Sequence, residues 1–344
     1  MNRKLIKVQI LLCALLGVIL LFVLLFGVSG AFNGLQLSVW GKLEAVHEQT
    51  VSAADIESIA LDFSSMDISV TVTDESDIRI VQLASAKLSP REFFTLENLN
   101  GELRISQPES RRLFNFFSFG VNQKLELYLP KSYAQSLSVK TRSGNVTLLS
   151  ELIAQEISFD LSSGKLSGNS VTGVKRVDVR VTSGDISLGA VSCEEYDINA
   201  SSGNIDIASL KGTGEVLTRS GNITIDALEG IRHDIQASSG DIRVAGFSGA
   251  GSVHTTSGVV RVDCTAVLGD LSLGATSGDI RVKLPRDASY ELYASCTSGD
   301  ISGDIDMSYS KNGRAATAKI GAGPYVKLDI QTHSGNIDIQ QNED

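Results

Sequence analysis

A Ser-Gly-Asp/Asn tripeptide recurs down two-thirds of this chain. It reads "TRSGNVTL" from Thr141, "VTSGDISL" from Val181, "NASSGNIDI" from Asn199, "TRSGNITI" from Thr218, "ATSGDIRV" from Ala275 and "THSGNIDI" from Thr332. Its glycines are Gly144, Gly164, Gly184, Gly203, Gly221, Gly240, Gly258, Gly278, Gly299 and Gly335, spaced 18 to 21 residues apart except for a last step of 36. A fixed period of this length is the mark of a repeat architecture. The last step reads as two periods with one copy eroded.

Registering each copy on its glycine shows where the apolar side chains go. Five residues before it stand Val139, Phe159, Val179, Ile198 and Val216; two after it stand Val146, Leu166, Ile186, Ile205 and Ile223. Four after it come Leu148, Leu188, Ile207 and Ile225, and seven after it Val171, Val191, Leu210, Leu228 and Phe247. Alternation of aliphatic and polar residues is the signal of a strand with one buried face. Each unit then holds two short strands broken at the tripeptide, plus a third side of variable length. One unit cannot bury its apolar face alone, but stacked units bury a continuous column. The expected fold is all-β: a parallel β-solenoid of about ten or more coils, each adding about 4.8 Å.

The ten glycines are the structural turn residues of this reading, because glycine enters positive φ without a Cβ penalty. The flanking Ser/Thr and Asp/Asn can bond backbone groups that the corner leaves unpaired. In "IALDFSSMDISVTV", Met66 takes the glycine's place, which makes residues 59–72 a degenerate first coil. Between 78 and 130 the period breaks, as a cap over an exposed sheet edge would require.

Residues 8–28, "VQILLCALLGVILLFVLLFGV", carry no charge, and 21 residues at helical rise cross roughly 30 Å of hydrocarbon. Arg3, Lys4 and Lys7 precede the run, so the positive-inside rule leaves the N-terminus in the cytoplasm and exports the rest. A cleaved signal peptide ending near 28–31 is the rival reading; the apolar run is longer than a signal-peptide core, which favours an uncleaved anchor. The expected organisation is a cytoplasmic tail at 1–7, an anchor at 8–28, a linker at 29–54, a first coil and cap at 55–135, and solenoid repeats at 136–340.

The chain carries a net charge of −10, and the body beyond Lys7 is more acidic still. That argues against nucleic acid as a partner, since such binding depends on neutralising phosphates. Cys193, Cys264 and Cys296 fall on different repeats and read as small buried or half-buried residues. The four histidines are scattered, and neither an HExxH pair nor a GxSxG elbow occurs, so no catalytic residue is assigned. No cofactor is implied. The protein is expected not to be an enzyme.

Three groups remain as candidate sites. Asp279 and Asp300 follow the glycines of successive copies, and carboxylates one strand spacing apart are weak candidates for a hard cation; the alternative is that they are plain turn residues like Asp185 and Asp241. Arg243, Arg261 and Arg281 share the column three after the glycine, and would either grip an anion or interleave with Asp241 and Asp279 as a solvated face. "RRLFNFFSFG" gathers Phe114, Phe116, Phe117 and Phe119, which would either form an apolar contact for a partner or bilayer, or plug the solenoid's end.

The "LYLP" strand, the degenerate first coil and the serial "SGDI/SGNI" coils resemble the bacterial putative-adhesin solenoids, a domain of unknown function common in Gram-positive genomes. The resemblance covers about residues 55–340. It implies a β-solenoid and, since some relatives are similarly anchored and encoded beside cell-envelope stress systems, an accessory role at the membrane–wall interface. The expected function is a non-catalytic, membrane-anchored, envelope-associated binding or accessory module, with an envelope membrane protein or a surface glycan as partner. A surface adhesin is the alternative, and a polysaccharide-active enzyme a distant third.

Overall fold

The computed structural model describes residues 42–107 and 121–342. Coils stack in parallel and in register: Ile59 pairs with Leu137, Leu137 with Ile157, Ile157 with Val177, Val177 with Tyr196, Tyr196 with Gly214, Gly214 with His233, and His233 with Gly251. Ile198, Ile205, Leu210, Val216, Ile223 and Leu228 are wholly buried, so the core is a continuous aliphatic column inside the stack. Two further inward columns accompany those read from the periodicity. Leu137, Ile157 and Val177 lie seven before the glycine, and Thr141, Leu161 and Val181 three before it, all buried.

The register is strict at the glycine corner and loose on the third side. Shifts fall between Val171 and Val174, Ser192 and Glu195, Lys211 and Gly214, and Glu229 and Arg232. Bulges there absorb the differences in coil length, which is why the period wanders while the corners stay aligned.

At the corner the chain turns so tightly that the coils touch. The glycine φ values run from 136° at Gly299 to 158° at Gly144. A Cβ built on Gly221 would lie 2.0 Å from the Gly203 carbonyl oxygen. At the ten glycine corners two constraints favour glycine, the positive φ and the approach of the neighbouring backbone; Met66, in the first coil, is not at positive φ.

The stacking order departs from the chain order at the C-terminal end. Leu271 pairs with Leu328, and Leu328 with Leu292. The last coil, with strands Val326–Ser334 and Ile337–Gln341, is therefore inserted between the coil of Gly278 and the coil of Gly299. The 36-residue step is thus not an eroded repeat: residues 304–325 travel outward, add the strand Ala315–Ile320 antiparallel to Tyr290–Ser298, and return. The other end is closed by similar means. Glu102–Ser106 and Gln123–Pro130 pair in parallel with the outer side of the Met66 coil. Asp77–Ala84 then pairs antiparallel with Gln123–Pro130, and Glu44–Ser52 with Asp77–Ala84. Antiparallel strands thus cover both ends of the parallel stack, and the outermost, Glu44–Ser52, carries a bulge and two glutamates that discourage further pairing.

Gly221→Ala is expected to lower the unfolding free energy by about 3 kcal/mol, from the cost of placing a Cβ at a positive φ of 147° plus a forced backbone shift. Gly313→Ala, at φ 68° with nothing within 4 Å of its Cβ, is expected to lose only about 1 kcal/mol. Urea midpoints of the two variants measure the difference, and equal losses would show that neither the coil contact nor the φ of 147° adds to the cost of a Cβ at positive φ.

Candidate functional site

The polar residues of the corner are engaged in building it. The N–H groups of the glycine and of the residue two beyond it donate to the following coil, as Gly221 does to Ser239 and Ile223 to Asp241. The N–H between them faces the preceding coil, where no strand carbonyl meets it. There the Asp/Asn side chain serves: Asn204 donates to Asp185 Oδ1, Asn222 to Asn204 Oδ1, Asp241 to Asn222 Oδ1 and Val259 to Asp241 Oδ1, all at 2.8–2.9 Å. Since Oδ1 only accepts, Asp and Asn are interchangeable in this role. Buried threonines complete the corner, Thr218 Oγ1 donating to the Gly203 carbonyl and Thr255 Oγ1 to that of Gly240.

Asp279 and Asp300 belong to this ladder, and they are not neighbours. Asn336 N–H donates to Asp279 Oδ1 at 2.8 Å, and Asp300 N–H donates to Asn336 Oδ1 at 3.0 Å. The inserted coil puts a neutral side chain between the two carboxylates, which overturns the pairing expected from their order in the chain. Like charges on adjacent coils would repel, and the insertion avoids it. Among the described residues no group of three or more His, Cys, Asp or Glu is placed to hold a metal ion.

Arg243, Arg261 and Arg281 do stack on consecutive coils. Arg261 lies 3.6 Å from Asp241 and Arg281 3.8 Å from Asp279, while Arg243 sits exposed between Thr224 and Arg261. Phe114, Phe116, Phe117 and Phe119 lie outside the described residues, as does the apolar run 8–28. Among the described residues no helix is long and apolar enough to cross a membrane. Cys193 and Cys264 are free, and burial pushes both thiols up to about 12, which leaves them protonated at neutral pH.

One polar pair sits inside the core, at positions that no motif or spacing marks. Tyr196 and His233 are two coils apart, and their side chains meet across Gly214, with the Tyr196 hydroxyl 2.6 Å from His233 Nδ1. The rings occupy room that glycines leave: a Cβ on Gly214 would lie 2.8 Å from Tyr196 Cδ2, and one on Gly249 2.9 Å from His233 Cδ2. His233 Nε2 faces the Ser248 carbonyl at 3.4 Å and the Phe247 ring packs edge-on at 5.6 Å. A carbonyl only accepts, so Nε2 carries the proton and Nδ1 accepts from the tyrosine. Burial lowers the His233 pKa, against smaller upward pulls from the Ser248 carbonyl and Asp234.

One concave surface lies at the C-terminal tip. Side by side on the outer face run Asp329, Tyr293 and Thr317, and next to them Lys327, Glu291 and Lys319. With Asp306 and Ser308 they line an open groove of about 660 Å³. Lys319 pairs with Glu291 at 2.6 Å and lies over the Tyr325 ring at 4.1 Å.

A family model described as Toastrack DUF4097 matches residues 56–229 and again 213–340. The chain belongs to the Toastrack DUF4097 family. The two matches overlap within one coil and together span nearly the whole Toastrack solenoid. No curated protein matches the chain. Similar solved structures include a putative adhesin from Parabacteroides distasonis, 16% identical over 87% of this chain and 97% of that chain, with a TM-score of 0.39. A putative adhesin from Bacteroides fragilis is 13% identical over 88% and 97%, with a TM-score of 0.34. A putative lipid binding protein from Parabacteroides distasonis is 15% identical over 85% and 96%, with a TM-score of 0.35.

Burial of His233 is expected to make this Toastrack chain sensitive to acid. His233 binds its proton less readily in the folded than in the unfolded chain, so stability falls as pH drops below about 6.5, by up to about 1.4 kcal/mol per pH unit once His233 is charged only when unfolded. Wild type is expected to lose more stability between pH 7.5 and 5.5 than His233→Gln. Urea titrations at both pH values measure this, and identical pH dependence in the two proteins would contradict it.

Proposed function

We propose that the protein is a non-catalytic binding or accessory module of the cell envelope, held at the membrane by residues 8–28 and displayed on the extracytoplasmic side. The observation that carries this reading is what the repeated polar residues do. The corner Asp and Asn side chains, with Thr218, Thr255 and Thr332, are bonded coil to coil, so the ladder is a rigid support. The carboxylates that a lyase-like site would need, Asp279 and Asp300, are held apart by Asn336. Function then falls to surfaces carried on the rod rather than to its repeat.

The geometry also suits an anchored display element. The chain enters at the capped end near Glu44, and the irregular tip of residues 290–325 lies roughly 50 Å away at about 4.8 Å per coil. A surface adhesin recognising glycan is the second reading, favoured by the three exposed tyrosines of that tip, Tyr293, Tyr309 and Tyr325.

Full-length protein is expected to stay in the membrane pellet through alkaline carbonate extraction, and a variant lacking residues 1–28 to leave it. Release of the full-length, uncleaved protein by carbonate would contradict anchoring. Crosslinking in native membranes is expected to capture a discrete envelope protein, with yield reduced several-fold in Phe116→Ser/Phe117→Ser. An unchanged crosslink in that variant would remove the phenylalanine segment from the contact.

A further inference from the structure

We propose that the groove at the C-terminal tip is a saccharide-binding site with Tyr293 as its stacking platform. The proposal rests on the reading of the protein as a binding module and names the surface and the ligand class.

Several independent features converge there. The chain has seven tyrosines, and the three among the described residues that are strongly exposed, Tyr293 at 46%, Tyr309 at 50% and Tyr325 at 37%, all belong to residues 290–325. The other four are buried or partly buried: Tyr290, in the same segment, lies in the core with Tyr133 and Tyr196, and Tyr128 is held between Arg79 and Glu126. The solvent-facing position of Tyr293 is occupied on other coils by small or charged residues, Ser252 and Ser272 among them. An aromatic ring at that position has no role in the stack.

The ring lies in a groove of mixed lining, in which Leu292, Ala318 and Leu328 accompany the polar groups. Asp329 flanks it on the inner coil and Thr317 on the cap strand. Glu291 with Lys319 and Lys327 lines one side, and Asp306 another. Acceptors and donors of both signs thus surround one exposed ring face. This is the complement of a pyranose, whose C–H face packs on an aromatic ring while its hydroxyls both donate and accept. Polar groups of both charges are interspersed along the lining, which suits a hydroxyl-rich ligand better than an acyl chain or an amphipathic helix. Its mixed charge does not match a polyanion. A volume of about 660 Å³ falls in the range of small-ligand sites.

Topology supplies the position. Because the C-terminal coil is inserted beneath it, the segment 290–325 forms the end of the rod opposite the point where the chain enters. Lys319 is fixed by Glu291 and the Tyr325 ring, and Asp329 accepts from Gln331 Nε2 at 2.8 Å, so two of the polar walls are preset before any ligand arrives.

The test uses full-length protein in a zwitterionic detergent without sugar headgroups, applied to an array of pyranose oligosaccharides, with the best oligosaccharide then titrated calorimetrically. Wild type is expected to retain at least one oligosaccharide. Tyr293→Ala is expected to weaken it about tenfold, and Tyr293→Phe to stay within about threefold, since the ring face rather than the hydroxyl carries the contact. Unchanged thermal midpoints in both variants exclude a folding defect, as the exposure of Tyr293 leads one to expect. No oligosaccharide retained by wild type overturns the saccharide class. Binding that survives Tyr293→Ala undiminished overturns the groove as the site, yet leaves the binding-module reading standing. That reading fails separately if native-membrane crosslinking and the array both return nothing.

Discussion

A single backbone N–H governs this architecture. Where the chain rounds each glycine corner, the amide after the glycine points back toward the preceding coil and finds no strand carbonyl. Leaving it unpaired at every coil would cost free energy repeatedly. The Asp/Asn side chain of the coil before supplies the acceptor, as Asn204 does for Asn222. That bond needs coils in strict register, and strict register brings each corner onto the carbonyl of the one before, where only glycine fits. Tripeptide, period and stacking are consequences of one requirement. Lys165 and Val259, which offer no acceptor, show that the ladder survives isolated gaps.

A parallel stack has two open ends, and this chain closes both by leaving chain order. At the first end, strands from residues 77–130 pass outside the Met66 coil and turn antiparallel. At the second, the C-terminal coil slips inside the Gly299 coil. The insertion has two effects. It separates the Asp279 and Asp300 charges with Asn336, and it pushes an irregular, tyrosine-bearing segment to the tip. The support is regular and the proposed binding surface is its exception, the usual division of labour between scaffold and loops.

Much of the support was legible in the sequence. The Ser-Gly-Asp/Asn period fixed the corners, and the aliphatic positions two, four and five residues away marked the core, because one buried face per strand writes itself as alternation. The column seven residues before the glycine carries no uniform aliphatic signal. It holds Tyr196, Gly214, His233 and Gly251, whose pairing across coils replaces aliphatic packing with rings set into glycine gaps. The order of the last two coils was hidden for a different reason. "CTSGDI" and "THSGNI" satisfy the same corner equally well, so nothing local distinguishes their slots. The tip groove draws Tyr293, Asp306, Lys319 and Asp329 from separate stretches, and no spacing rule joins them.

The account stands or falls on the order of the corners at the C-terminal end, since both the separated carboxylates and the displayed tip follow from it. Cysteine pairs read that order directly. With the four native cysteines changed to alanine, Asp279→Cys with Asn336→Cys, and Asn336→Cys with Asp300→Cys, are each expected to bridge under mild oxidation, because neighbouring coils lie about 4.8 Å apart. Asp279→Cys with Asp300→Cys, two coils apart, lies beyond the roughly 7 Å limit for a disulfide and is expected to stay reduced. A bridge between 279 and 300 in comparable yield would mean that the coils stack in chain order, and would contradict the inserted coil and the tip built upon it.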